Sequence, residues 1–342
     1  MSHAIKNPWS MGSRVPRYAV LVAVLLGAAA TEAEPQRLTY SKDQSLYPGY
    51  EGWREASDGG YELIFGYMNQ NWDQEIDAEI GPDNYFSPGP ADRGQPTHFL
   101  PRRNRFTFTV TVPASFGEDD ELIWTLRANG KEHRAYGTIR EDLYIDNIVI
   151  MSETGALGAG SSSAAVRANV PPKIEIEGGL TRHVRVGQPL TLTALVTDDG
   201  QPDMSTVRQA VAETRAAEGA NVEAEATPTA RELLARALRA PTGTVTVSKR
   251  VSLHFTWFVY RGSAEEVEFD PPQVKSWEDT RAFANSPWAT RWVAPEIPED
   301  GRWVSEVTFS EPGTYILRGR ADDGGLYSDQ EVTVYVEGAV VS

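Results

Sequence analysis

The stretch that decides the fold is residues 311–336, EPGTYILRGRADDGGLYSDQEVTVYV. Apolar and polar residues alternate on both sides of the acidic turn Asp322-Asp323-Gly324, as in two antiparallel strands with one buried face. An earlier stretch, residues 190–200 (LTLTALVTDDG), repeats the pattern of a strand that ends in Asp-Asp-Gly. Together the two stretches predict an antiparallel β-sandwich in the C-terminal half of the chain.

The N-terminal half also consists of short strand patterns separated by turns. Residues 105–112 (RFTFTVTV) alternate strictly, with Phe and Val on one face and Thr on the other. Asn129-Gly130 separates two further strand patterns, and Asn-Gly supplies the two positive φ angles of a type I′ hairpin turn. We therefore predict an all-β protein with two sandwich domains, residues 46–150 and residues 171–338.

Two segments interrupt this strand pattern. Residues 151–170 are rich in Gly, Ser and Ala, which predicts a flexible linker that ends at Pro171. Residues 201–243 have a helix-forming composition, and their second half carries a capping box and ends at Pro241. They predict an α-helical insertion in the second sandwich. Its leucines either cover exposed sheet or the other domain, or they present a partner-binding face.

Residues 1–33 predict a signal peptide. Lys6, Arg14 and Arg17 precede an apolar run, Tyr18–Ala30, that is too short to span a bilayer as a helix. An uncleaved membrane anchor is the alternative. No cysteine follows the run, which excludes a bacterial lipoprotein, and no Arg-Arg pair precedes it. We expect a secreted or periplasmic protein that has no membrane span after cleavage.

Charge and cysteine content exclude several function classes. The formal net charge of −16 and the pI near 4.8 argue against nucleic-acid binding, which needs a basic surface. The chain has no cysteine, so disulfides, thiol nucleophiles and iron–sulfur clusters are excluded. Core packing or bound ions must therefore stabilise the sandwiches.

The order of motifs in the C-terminal half resembles that of PKD and related immunoglobulin-like domains. The resemblance covers about residues 171–337 without two insertions, and the N-terminal half resembles no named family. The motifs are Val186-Gly-Gln-Pro-Leu-Thr-Leu, Asp198-Asp-Gly, Phe255-Thr-Trp-Phe-Val, Glu311-Pro-Gly-Thr-Tyr and Val332-Thr-Val-Tyr-Val. The Trp-x-Phe-Gly-Asp-Gly run that usually follows the Trp strand is missing. The resemblance implies a spacer, adhesion or accessory module of a secreted bacterial protein. The predicted fold is thus two immunoglobulin-like β-sandwich domains, the second with an α-helical insertion.

Four aspartates form the candidate metal site. In an immunoglobulin-like sandwich the loops after strands B and F emerge at the same end, which brings Asp198 and Asp199 towards Asp322 and Asp323. Calcium takes about six to eight oxygen ligands and would neutralise the repulsion between these carboxylates. The alternative is that each Asp-Gly pair only makes a turn, with the side chain bonded to nearby backbone.

The expected function is non-catalytic: a binding or structural protein with a protein or surface partner, of the adhesion type and stabilised by calcium. Carbohydrate binding is the first alternative, because exposed aromatic rings stack on pyranose sugars. The aromatic candidates are Trp53, Trp72, Tyr85, Phe86, Trp277, Trp288 and Trp292, unless they are core residues. A hydrolase of unknown type is the other alternative, although the sequence has no HExxH zinc motif.

Overall fold

The structure is a computed structural model. It describes residues 42–72, 74–154, 164–201, 247–248, 253–277, 290–291 and 296–338. The predicted signal peptide and residues 202–243 of the predicted insertion lie outside the described residues. The described residues all belong to one compact unit. Of the helices that the structure describes, none is both long and apolar enough to cross a membrane.

The first sandwich has two three-stranded antiparallel sheets. One has the order β1-β2-β6, with β1 (Leu46–Glu55), β2 (Tyr61–Asn69) and β6 (Arg102–Val112). The other has the order β4-β7-β8, with β4 (Asn84–Ser87), β7 (Leu122–Ala128) and β8 (Lys131–Gly137). Two short strands, β3 (Ile76–Asp77) and β5 (His98–Phe99), pair with each other. In immunoglobulin nomenclature the two sheets are A-B-E and C-F-G.

The second sandwich has two four-stranded sheets. One has the order β14-β16-β11-β9, with β9 (Lys173–Ile176), β11 (Leu190–Thr197), β14 (Val267–Asp270) and β16 (Arg302–Phe309). The other has the order β10-β18-β17-β13, with β10 (Thr181–Arg185), β13 (His254–Arg261), β17 (Gly313–Asp322) and β18 (Tyr327–Glu337). The short strands β12 (Val247–Ser248) and β15 (Thr290–Arg291) pair in parallel.

These strand orders confirm the prediction of an all-β protein. The second sandwich has sheets A-B-E-D and A′-G-F-C, which is an immunoglobulin-type arrangement. The strand order does not separate PKD domains from other immunoglobulin-like domains, so that finer resemblance stays a prediction. The predicted hairpin turn is confirmed too, because Asn129 and Gly130 have φ angles of 50° and 71°.

Each sandwich has a hydrophobic core, and the core of the first also includes Phe258 and Tyr260 from β13 of the second. In the first, the rings of Phe65, Phe86 and Trp124 contact one another, and all three residues are almost fully buried. In the second, Trp257 and Leu317 are at the centre of the core. The alternating Phe-Thr-Val pattern of β6 holds from residue 108 to residue 112, where Phe and Val are buried and Thr is exposed.

Phe106 breaks this alternation because β6 bulges. The register with β2 shifts next to this residue, and the φ of Phe106 is 49°, in the left-handed region. Its side chain therefore joins a third, small core with residues from the segment that connects the sandwiches. The other members of this core include Ile64, Ile145, Ile150, Met151, Val166 and Leu326.

This third core includes residues from both described ends of the predicted flexible linker. Helix α1 (Asn147–Thr154) includes residues 151–154, and helix α2 (Ala164–Arg167) lies near the linker's other end. Met151 and Val166 are only 2% and 4% exposed. Residues 155–163 lie outside the described residues. The parts of the linker that the structure describes are therefore folded and packed.

Candidate binding cleft between the sandwiches

Each of the four predicted calcium ligands accepts a hydrogen bond from the backbone N–H two residues further along the chain. The distances are 2.9 Å at Asp198, 2.8 Å at Asp199, 2.6 Å at Asp322 and 2.6 Å at Asp323. These contacts are Asx turns, the alternative considered for the two Asp-Asp-Gly sequences.

The two acidic loops both contact the short segment Asn169-Val170. Asn169 Nδ2 donates to Asp323 Oδ2 at 3.1 Å, and Val170 N donates to Asp199 Oδ2 at 3.3 Å. The loops therefore lie at one end of the sandwich. Among the described residues, which include all four aspartates, no group of three or more His, Asp or Glu side chains is placed to hold a metal ion. The calcium site stays a prediction.

Asp323 is the most buried of the four aspartates, with 2% of its surface exposed. Burial raises its pKa to about 7, although hydrogen bonds from Leu326, Gly325 and Asn169 favour the charged form. A carboxyl group whose pKa is raised by folding binds its proton more tightly in the folded chain. Its contribution to stability therefore falls as the pH rises from about 4 to about 7.

Side chains of the second sandwich bond to the backbone of the first. Arg318 Nη1 donates to Thr107 O at 2.6 Å, and the Tyr327 hydroxyl donates to Phe106 O. Bonds of the same kind run from Tyr260 to Gly94, from Arg261 to Gln95, and from Lys275 to Pro101 and Arg103. Arg103, Phe106 and Thr107 belong to strand β6, so these contacts attach the second sandwich to a sheet of the first.

Behind these contacts lies a charge ladder on β17 and β18, with buried arginines and partly exposed carboxylates. The strand register places Arg318 opposite Glu331 and Arg320 opposite Asp329. Arg320 holds Asp329 through two hydrogen bonds of 2.7 Å, and Arg318 bonds to Glu331. The Arg318 guanidinium also lies 3.3 Å from the ring centroid of Tyr260. Both arginines are nearly buried, at 6% and 1% exposure, so each depends on its partners for stabilisation.

A cleft of about 870 Å³ lies between the two sandwiches beside this ladder. Residues 106–109 of β6 line it from the first sandwich, and residues 328–331 of β18 line it from the second. Its volume is in the range of ligand sites, about 300–1,000 Å³, which occur preferentially at domain interfaces. The formal charges of its lining residues cancel. Three are arginines (Arg54, Arg261 and Arg318) and three are acidic (Asp92, Asp329 and Glu331).

A second cavity, of about 470 Å³, adjoins His98. His98 Nδ1 lies 2.7 Å from Asp77 Oδ1, and Nε2 lies 2.9 Å from Glu75 Oε2. Burial opposes a charge on this imidazole, but the hydrogen bonds and charges of Asp77 and Glu75 outweigh it and raise the pKa of His98 to about 9. The side chain is therefore an imidazolium at neutral pH, which suits neither a general base nor a metal ligand.

The structure places several of the predicted sugar-stacking residues in structural contacts. Phe86 is 1% exposed and belongs to the core. The guanidinium of Arg102 lies 3.9 Å above the Trp72 ring, and Trp277 packs against Phe258. Trp288 and Trp292 lie outside the described residues.

Trp53 belongs instead to an aromatic cluster at the surface. Its ring centroid lies 5.4 Å from that of Tyr61 and 5.3 Å from that of Tyr144, both edge-to-face. Tyr144 is 50% exposed. Trp53 Nε1 donates to Arg140 O at 2.7 Å, and Ile145 N donates to Trp53 O at 2.9 Å, so the cluster is held in place.

The chain has no matching protein family and resembles solved structures only weakly. No protein-family model matches the chain, and no curated protein matches it significantly. The solved structures that it resembles include domains 1–6 of the surface layer protein SbsC (8% identity over 86% of this chain and 28% of that chain, TM-score 0.22). They also include a chimeric titin Z1Z2 (9% identity over 86% of this chain and 100% of that chain, TM-score 0.20).

Another similar structure is an endo-fucoidan hydrolase of glycoside hydrolase family 107 (9% identity over 88% of this chain and 30% of that chain, TM-score 0.23). The chain thus spans less than a third of the surface layer chain and of the hydrolase. TM-scores near 0.2 support no conclusion about fold or function. The strand orders alone define the class, an all-β protein of two immunoglobulin-type sandwiches.

Proposed function

We propose that this chain is a secreted, non-catalytic binding or structural protein of the bacterial envelope or exterior. It acts as one rigid body of two sandwiches and holds a protein or surface partner in the cleft between them. The observation that supports this proposal is the set of side chains that fix the walls of the cleft, above all the bond from Arg318 to Thr107 O. Its secreted location rests on the predicted signal peptide.

Fixed walls favour binding because a preformed site loses little conformational entropy when a partner arrives. The carboxylates of Asp329 and Glu331 are held by Arg320 and Arg318. These carboxylates therefore stabilise the walls of the cleft through their ion pairs. This arrangement suits a binding surface better than a reaction centre, in which charged groups must be available to the substrate.

Filling the cleft tests this proposal. Thr109 is exposed and lines the cleft, whereas Thr191 is exposed on β11 of the second sandwich, outside the lining. We expect Thr109→Trp to weaken partner binding at least about tenfold, because the indole occupies the site, and Thr191→Trp to leave it within about twofold. The measurement is binding of the purified protein and both variants to a glycan array and to a displayed random-peptide library. If the two variants behave alike on every ligand that wild type binds, the cleft is not the site.

The Trp53 cluster favours carbohydrate binding as a second candidate function. Its exposed edge offers a fixed aromatic surface next to the exposed ion pair of Arg140 and Asp142. Aromatic rings stack on the C–H faces of pyranose rings, and planar charged groups bond to their hydroxyls.

Tyr144→Ala tests this second function, and Tyr136→Ala is its matched control. The two tyrosines are 50% and 47% exposed, but only Tyr144 belongs to the cluster. If the cluster binds sugars, Tyr144→Ala lowers affinity for the glycans retained on the array by about 1–3 kcal/mol, and the control does not. Equal binding by both variants would remove carbohydrate recognition from this surface.

A further inference from the structure

Strand β6 ends its sheet, and none of the strands that the structure describes pairs with its outer edge. In the second sandwich the E strand, β16, is flanked by a D strand, β14. In the first sandwich β6 is the E strand, and the described residues provide no D strand beside it. The short strand β5, which comes at the D position in chain order, pairs with β3 instead.

The free edge of β6 faces the second sandwich. Thr107 O accepts its hydrogen bond from Arg318, so this carbonyl points away from β2. Backbone groups of alternate residues point to the same side of a strand, and β6 pairs regularly with β2 from residue 108 to residue 112. The N–H and C=O of Thr109 and Thr111 therefore point to the free edge as well.

Residues 108–112 of this edge, all of them described, carry no charge, proline or bulge that would oppose strand pairing. Natural edge strands are commonly blunted by lysine, proline or a bulge. Residues 108–112 are Phe-Thr-Val-Thr-Val, without a charge or a proline, and the bulge of β6 lies before them. The unprotected stretch is about 17 Å long. It begins in the cleft, where Thr109 is part of the lining.

We propose that the cleft binds an extended peptide of a partner protein, which adds a strand to the free edge of β6. This inference rests on the proposed function, since it names the partner that the cleft receives. The backbone of the peptide pairs with the N–H and C=O of Thr109 and Thr111, as in other cases of β-strand addition. The peptide's side chains are uncharged, because the six charged residues of the lining balance and are held in ion pairs.

The first test removes one backbone donor. Thr109→Pro deletes an N–H that points to the cleft and leaves the ladder with β2 intact, whereas Thr109→Val keeps the N–H. The probe is a heptapeptide selected on the purified wild-type protein from a displayed random library. We expect Thr109→Pro to weaken its binding at least about tenfold and Thr109→Val to change it less than about twofold. Circular dichroism and the melting temperature check that both variants fold.

The second test leaves the protein unchanged. Only every second N–H of an added strand bonds to the neighbouring strand. N-methylation at one set of alternate residues of the selected peptide should therefore abolish binding, and N-methylation at the other set should not. Equal effects of the two sets would overturn the proposal. The proposal would also be overturned if Thr109→Pro weakened the binding of none of the selected peptides. Glycan binding that Thr109→Trp abolishes would support the cleft as the binding site but overturn the peptide as its ligand.

Discussion

Replacing Arg318 by alanine is expected to lower the free energy of unfolding by about 3–5 kcal/mol. The substitution leaves Thr107 O without its donor and Glu331 without its cation, and it removes the guanidinium from the Tyr260 ring. The loss is large because Arg318 and Thr107 are only 6% and 5% exposed, so water does not replace the bond to Thr107 O. Urea denaturation of the two proteins, monitored by tryptophan fluorescence, measures the difference.

The matched control is Arg302→Ala. Arg302 also pairs with a glutamate, Glu177, at 2.8 Å, but its side chain is 49% exposed. Exposed pairs contribute at most about 1 kcal/mol, so this variant should unfold close to wild type. Similar losses for the two variants would show that the Arg318 contacts do not hold the sandwiches together.

The second large effect is a dependence of stability on pH that His98 produces. Its pKa is about 9 in the folded chain and 6.5 without the fold. The folded chain binds the proton more tightly, so the stabilisation is complete below pH 6.5 and is lost as the pH rises through 9. We expect His98→Gln to cost roughly 3 kcal/mol at pH 6, and its difference from wild type to shrink towards pH 10.

The difference between the two proteins isolates His98 from other titrating groups. Asp323, whose pKa is about 7, contributes equally to both proteins and cancels. The measurement is urea denaturation of wild type and His98→Gln at intervals from pH 6 to pH 10. A difference that stays constant over this range would show that Asp77 and Glu75 do not hold the imidazole in its charged form.

The strands were predictable because their alternating patterns are local. Residues 108–112 alternate between apolar and polar in the sequence and between buried and exposed in the structure. Asn129-Gly130 forms the hairpin turn that its residue types favour. The departure of Phe106 was not predictable, because the bulge turns its side chain into a core that residues far along the chain complete. Composition likewise gave no sign that Met151 and Val166, at the described ends of the predicted linker, are buried.

The cleft was also beyond sequence reasoning, although one signal of it was present. Arg318 and Arg320 interrupt an apolar strand, and Asp329 and Glu331 interrupt the next, at the spacing that puts like charges on one face. Charges on the face of a strand usually point to solvent, so this pattern alone does not indicate an interface. Pairing in register, together with the packing of the first sandwich over the ladder, buries the two arginines and leaves Asp329 and Glu331 partly exposed.

The rigid union of the two sandwiches can be measured directly by the distance between two spin labels. The chain has no cysteine, so Tyr136→Cys in the first sandwich and Val304→Cys in the second provide two unique sites, 47% and 54% exposed in wild type. Double electron–electron resonance should give one narrow distance distribution, since Arg318, Tyr327 and Tyr260 hold the first sandwich by its backbone. A broad distance distribution, which two independently moving domains would give, would contradict the rigid union of the two sandwiches.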